Sequence, residues 1–447
     1  MDRPDRARLG VGLATLTGLV IRVGYVLAVR RDKPLLGDAY FYHHAANLLA
    51  DGKGWIVPLD FLTQGETQQA ADHPPVFIAY LAMWSQAGLT SVTAHLVAGA
   101  MLGTVAVALV GVVGYRLGGW RVATVAAALA AVYPNLWGWD GMLLSEPTAV
   151  VAVTLVLLTA LRFDESPTTW RAVALGLAIG AAGLCRAELL LLGPLVGLPL
   201  VIRARKGLGR AAVGRFAAIG VAAVAIVAPW VGYNLTRFEE PVLISSGLDV
   251  TLAYSNCDPV FYGPNTGYWD FGCATLPDVP PEQLRELDQS QRSSLWREQT
   301  TAYVRDHLDR LPAVVLARLG RVAGVYRPFQ QARLDVIPEG REVWVARSGM
   351  AGYYALVVLS AVGWHALRRS TVPRFILLMP IVTVAFAAMT TFGATRYRAA
   401  AEPVLCLLGA LGAVALFDLA RRMLSAPEPV GDAPPGDEEE RLHHDRG

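Results

Sequence analysis

Runs of about 20 consecutive apolar residues constrain this chain more than any other feature, because that is the length a helix needs to cross the hydrocarbon of a bilayer. The first extends from about Leu9 to Val29. Others follow at roughly 93–115, 121–139, 143–162, 171–186, 188–202, 215–235, 347–366, 374–391 and 400–420. A spanning segment must satisfy its backbone polar groups internally, so each run is expected to be helical. The expected class is therefore an all-α polytopic membrane protein with a bundle of about ten helices. Composition agrees: 17% of the residues are charged, against about 25% in soluble chains. The first run is too long for a signal-peptide core and lacks a small-residue cleavage site, which predicts a retained span. The formal net charge of +2 gives no bulk attraction for nucleic acid.

Lys and Arg placement sets the expected direction, since basic loops stay cytoplasmic. Basic clusters occur at Arg3, Arg6 and Arg8, at Arg203 to Arg215, at Arg368, Arg369 and Arg374, and at Arg421 and Arg422. Ten spans put all four on the cytoplasmic side with both termini. An eleventh span at 75–90 would move the later clusters outside. That segment is short and opens on Pro74-Pro75, so it is predicted to lie in the outer interface.

This arrangement implies an N-terminal transmembrane module (1–235) containing a first extracytoplasmic loop (30–91). An extracytoplasmic domain of α/β or irregular structure (236–346) and C-terminal helices (347–423) follow. The Pro-rich, charged tail 424–447 is expected to be disordered. Cys257 and Cys273 share the second outward region, where oxidation is available. The sequence is equally compatible with a bridge and with two buried reduced thiols.

The candidate chemistry lies at the outward ends. Residues 38–50 read as a short surface helix with Tyr42, Ala45, Leu48 and Leu49 on one face and Asp38 as N-cap. Tyr40 and His44 on this helix are candidate substrate contacts. Asp72 and His73 precede the proline pair at the level of a lipid phosphate, where His73, when protonated, suits an anion. Glu146 stands at the mouth of a span, and Arg186 with Glu188 interrupts an apolar stretch; such charges need a wet cavity or a partner. Arg396 and Arg398, followed by Glu402, fall on the outward side against the positive-inside bias. Arginine there suits bidentate phosphate recognition. The spacing of Asp38, His43, His44 and Asp72 matches no metal motif. No cofactor follows from the sequence, a divalent metal ion being the one candidate.

Taken together, GDAYFYHHAANLLADGKGW at 37–55, HPPVFIAYLA at 73–82, YPNLWGWDGMLLSEPT at 133–148, GLCRAELLLL at 183–192, APWVGYNLTRFEEPVLISSG at 228–247 and RYRAAAEPVL at 396–405 resemble the GT-C membrane glycosyltransferases. The likeness is to the family 39-like group, similar to protein O-mannosyltransferases and lipid A aminoarabinose transferases. The resemblance implies transfer of a hexosyl or pentosyl group, such as mannosyl, from a polyprenyl-phosphate sugar on the extracytoplasmic face. Asp38 would then be the base acting on the acceptor hydroxyl in a single inverting displacement. Arg396, Arg398 and His73 would stabilise the departing phosphate, Glu146 would orient hydroxyls and Arg186 would shape the cavity. Ala39 follows Asp38 where protein O-mannosyltransferases carry Glu, which favours a lipid or cell-envelope glycan acceptor over a protein. The alternatives are a transporter or flippase of lipid-linked glycans and an assembly subunit with a dead site. Duplicated halves are not apparent and most ionisable residues gather at one interface, which favours an enzyme.

Overall fold

The computed structural model describes residues 3–276 and 279–425. Seven helices are long and apolar enough to cross a membrane: Arg3–Arg30, Val92–Val132, Glu146–Glu165, Ala187–Leu208, Ala211–Leu235, Val343–Ala366 and Thr395–Leu424. Two shorter apolar helices, Thr169–Cys185 and Phe375–Thr390, join the bundle. The 41-residue helix Val92–Val132 is two helices in practice. Gly118 and Gly119 leave the helical region inside it, Gly119 at φ 72°, a backbone that glycine adopts without a Cβ clash. The arms fold back on one another, so that a Cβ at Gly114 would meet Ala126 and the Val122 carbonyl at 3.1 Å. Seven long helices, two short ones and this division account for the ten apolar runs. The protein is an all-α polytopic membrane protein.

Small residues let the helices approach closely, as is usual where lipid removes a hydrophobic drive between them. Val343–Ala366 and Glu402–Leu424 meet at Gly363 and Gly412, where an added Cβ would lie 1.9 and 2.0 Å from the opposite backbone. A buried charged pair ties the first span to the bundle: Arg22 Nε donates to Asp140 Oδ2 at 2.6 Å, and the same guanidinium caps the Ala130 and Ala131 carbonyls. Arg22, an oddity in an apolar run, thereby has a carboxylate and backbone carbonyls for its buried charge.

Two polar segments sit together at one end of the bundle. The first carries the helices Asp38–Ala50, Pro58–Gln64 and Pro75–Gln86. Buried Tyr42, Ala45 and Leu48 pack the first of these against Phe77, Ile78 and Leu81 of the third, as the apolar face of 38–50 requires. The second segment, 236–342, contains the helices Gln289–Asp306 and Leu311–Val322 and several shorter ones joined by irregular chain. Of the two architectures expected for it, α/β is not found: no strand forms among the described residues, and only an isolated bridge pairs Ile56 with Gln69. Its runs between turns are too short and too polar to pair as strands. Cys257 and Cys273 form a disulfide with Cα atoms 5.9 Å apart. Arg237 fastens this segment to the first, donating to the Trp55 and Ala70 carbonyls, and Ser245 Oγ donates to the Asp72 carbonyl at 2.6 Å. The tail expected to be disordered lies, from residue 426 on, outside the described residues.

Candidate active site

Between the two polar segments and the helix ends lies a cavity of about 1500 Å³. Leu35, Leu36, Leu190, Leu191, Trp344 and Phe386 supply apolar wall, and Asp38, Asp72, His73, Arg186, Glu339 and Arg396 supply charge. A large apolar pocket with a few convergent polar groups is the usual form of a small-molecule site.

The local backbone aims Asp38 into this cavity. Gly37, at φ 50°, is the N-cap of Asp38–Ala50, and Asp38 is the first helical residue. The expected N-cap role of Asp38 is thus corrected: the glycine turn ends the incoming chain, and the aspartate is left free to face the bundle. Its Oδ2 accepts from Arg396 Nη2 at 2.7 Å, and its Oδ1 lies 3.8 Å from His73 Nε2. Asp72 Oδ2 stands 3.9 Å from the same nitrogen. The Tyr42 hydroxyl and His73 Nδ1 are 3.3 Å apart, and the Phe41 and Tyr42 rings flank the imidazole.

Arg396 is the hub. Besides Asp38 it donates through Nε to Glu146 Oε1 and through Nη1 to Glu339 Oε2 at 3.3 Å. Glu146, 1% exposed, is shared with Arg186 at 3.3 Å, and Arg186 also binds Glu188 at 2.7 Å while lying over the Tyr397 ring. One guanidinium therefore gathers three carboxylates that lie 57, 250 and 358 residues from it in the chain.

These environments push the carboxyl groups apart. Burial raises Asp38, but the charges of Arg396 and His73 outweigh it and hold the group at about 2. Burial raises Glu339 to about 7 despite Arg396, and burial raises Asp72 as well. Asp38 is thus ionised near neutrality, while Glu339 is poised to carry a proton. Such divergence among neighbouring acids is a mark of functional sites.

The structure brings Asp38, Asp72, His73, Glu146, Arg186 and Arg396 together. Tyr40 and His44 do not line the cavity; their rings pair with one another, 4.3 Å apart. At about 100° per residue, position 42 shares the face of Asp38, whereas 40 and 44 point elsewhere. Arg398 and Glu402 are also turned away. Arg398 Nε binds Glu402 Oε1 at 2.6 Å in the interior, with its guanidinium over Tyr353 and an NH on the Val322 carbonyl. Residues 395–401 form a 3₁₀ helix, so two steps of about 120° send positions 396 and 398 to different sides. Glu339 escaped the sequence reading. An acid between Pro338 and Gly340 looks like any turn residue, and no local pattern sets it apart. Among the described residues, no group of three or more His, Cys, Asp or Glu is placed to hold a metal ion; the carboxylates converge on a guanidinium instead.

No protein-family model matches the chain, and no curated protein matches it in sequence. Its fold is matched by solved structures of the oligosaccharyltransferase of Archaeoglobus fulgidus. AglB in complex with an inhibitory peptide and a dolichol-phosphate superposes with a TM-score of 0.53 at 16% identity, covering 96% of this chain and 52% of that one. The apo form gives 0.51 at 14% identity, covering 94% and 52%. The complex with Zn and sulfate gives 0.52 at 16%, covering 92% and 50%. The chain thus has the GT-C fold implied by its sequence motifs, and it spans about half the length of the structures it matches.

Proposed function

We propose that the protein is an integral membrane glycosyltransferase that moves a sugar from a polyprenyl-phosphate-linked donor to a lipid or cell-envelope glycan on the extracytoplasmic face. The observation that carries this reading is the convergence of Asp38, Glu146 and Glu339 on Arg396 at an apolar-walled cavity in a GT-C fold. The Lys and Arg distribution supports an extracytoplasmic cavity and cytoplasmic termini. The AglB complex with dolichol-phosphate supports a lipid-linked donor.

In this reading the prenyl chain lies along Leu190, Leu191 and Phe386, and the donor phosphate docks on Arg396. The acceptor hydroxyl oxygen bonds to the anomeric carbon as the bond from that carbon to the phosphate oxygen breaks. The electron pair leaves with the phosphate, where Arg396 and His73 offset the charge. The hydroxyl proton passes to the Asp38 carboxylate. Phosphate binding itself prepares that base: when Arg396 turns to the phosphate, Asp38 loses the partner that depresses its proton affinity, and burial raises it. Glu339, bearing a proton near neutrality, donates to a sugar hydroxyl or the phosphate. Glu146 keeps Arg396 in place.

The test is transfer of label from a panel of polyprenyl-phosphate sugars by the purified protein in lipid nanodiscs. Asp38→Asn is expected to slow transfer on the order of 10²- to 10⁴-fold. Equal rates for the variant remove the base assignment. A wild-type protein that transfers from no donor yet moves such lipids across liposomes is a flippase.

A further inference from the structure

The polar side of the same cavity carries an aromatic strip that the transfer chemistry does not use. Tyr254, Trp269 and Phe271 line it. Phe271 lies 4.4 Å from Trp269 and 5.3 Å from Tyr254 between ring centroids. The strip is built from two segments held in fixed register. The Asp270 N–H donates to the Tyr254 carbonyl at 2.9 Å, the Asp270 side chain accepts from Gly272 N, and the Cys257–Cys273 disulfide closes the loop that contains Trp269 and Phe271.

Two details separate this strip from ordinary packing. Phe271 is 65% exposed, although it stands against Trp269. Trp269 is half-buried: it stacks on Tyr268 at 5.3 Å between ring centroids and still lines the cavity. Polar groups line the cavity nearby: Ser290, Ser293, Ser294, and the Arg297 guanidinium held on Asp249 by bonds of 3.1 and 2.8 Å. A pyranose ring has an apolar C–H face and a rim of hydroxyls. Flat rings beside hydroxyl, carboxylate and guanidinium groups complement both surfaces. A prenyl chain needs none of the polar groups, and the apolar wall near Leu190 already suits it.

We propose that Tyr254, Trp269 and Phe271, pinned by the Cys257–Cys273 disulfide, form a stacking platform for a pyranose ring. This rests on the glycosyltransferase reading for its location but is tested by binding rather than turnover. The full chain in nanodiscs is titrated with a panel of methyl hexopyranosides by saturation-transfer difference NMR. Saturable binding of at least one is expected, weakened on the order of tenfold by Trp269→Ala or Phe271→Ala. Trp269→Phe, which keeps a ring, retains most of the binding. Phe271 is exposed, so its variant retains the fold, which a thermal melt checks. No pyranoside binding by the wild type, or binding unchanged in both alanine variants, overturns the platform. Binding that depends on Trp269 in a protein that transfers from no donor keeps the platform and removes the transferase reading. Steady-state kinetics then distinguish the source: Phe271→Ala raises KM for the donor if the ring belongs to the donor sugar, and KM for the acceptor if it belongs to the acceptor glycan. A kcat loss with neither KM changed counts against the platform.

Discussion

Arg396 and Arg398 sit two residues apart in the same 3₁₀ turn, and each is bonded to buried carboxylate. Their surroundings differ in the one respect that matters for function. Arg396 faces a cavity and serves three acids that belong to three distant segments. Arg398 faces packed interior and serves the next turn of its own helix, Glu402, together with one carbonyl and one ring. The first arrangement has more acid than base and room for a ligand to replace an acid. The second is closed on itself, one charge against one. A buried ion pair of the closed kind holds structure, whereas an over-subscribed cation at a cavity is poised to exchange partners.

The contrast can be broken experimentally. Arg398→Ala strands Glu402, which is 1% exposed, and is expected to destabilise the protein by about 3–5 kcal/mol. Transfer by the surviving folded fraction should stay close to wild type in kcat and KM; a melt and a rate measured on the same sample check both. Arg396→Ala is expected to do the reverse, losing on the order of 10²- to 10³-fold in kcat, about 2.7–4 kcal/mol, with the smaller change in melting temperature because Arg186 still partners Glu146. If Arg398→Ala proves the catalytic lesion, the comparison is inverted. Replacing the closed pair by apolar residues, Arg398→Met with Glu402→Leu, should recover most of the stability lost by Arg398→Ala.

A pH titration sharpens the acid side. The folded-state value of Glu339, raised from 4.5 to about 7 by burial, means that the native state holds a proton there which the unfolded chain has released. Its contribution to stability is complete below pH 4.5 and is lost as pH rises through about 7. Asp38 has the opposite sign: its contribution is present above 3.8 and is lost as pH falls through about 2. Denaturation midpoints measured from pH 4 to 8 should decline in the wild type and not in Glu339→Gln, the smallest of the four effects. A wild-type curve flat over that window removes the assignment.

The sequence reveals the bundle because length and apolarity set spanning helices directly. It also offers Asp38, through the family resemblance, and Arg396, as a charge on the disfavoured side. It does not separate Arg396 from Arg398, because the pair shares every compositional property and only the rotation of a tight turn distinguishes them. Tyr40 and His44 were candidates for the same reason that Tyr42 was assigned to packing. Each is a plausible side chain on a short helix whose start had to be known to the residue before its cavity face could be. Glu339 was invisible because its role depends on a contact with a residue 57 positions later. Cys257 and Cys273 were open between two states that sequence spacing treats alike.

The glycine break in Val92–Val132 has a consequence for how its two arms pack. Gly118 and Gly119 are the whole connection between two antiparallel arms, and two extended residues span only about 7 Å. So short a tether holds the two arms to one register: neither can slide along the other without breaking the turn, and the contacts of Gly114 with Ala126 and Val122 are set by the chain as much as by the fit of the faces. A longer insertion between the two glycines would release that register and leave the packing alone to choose it.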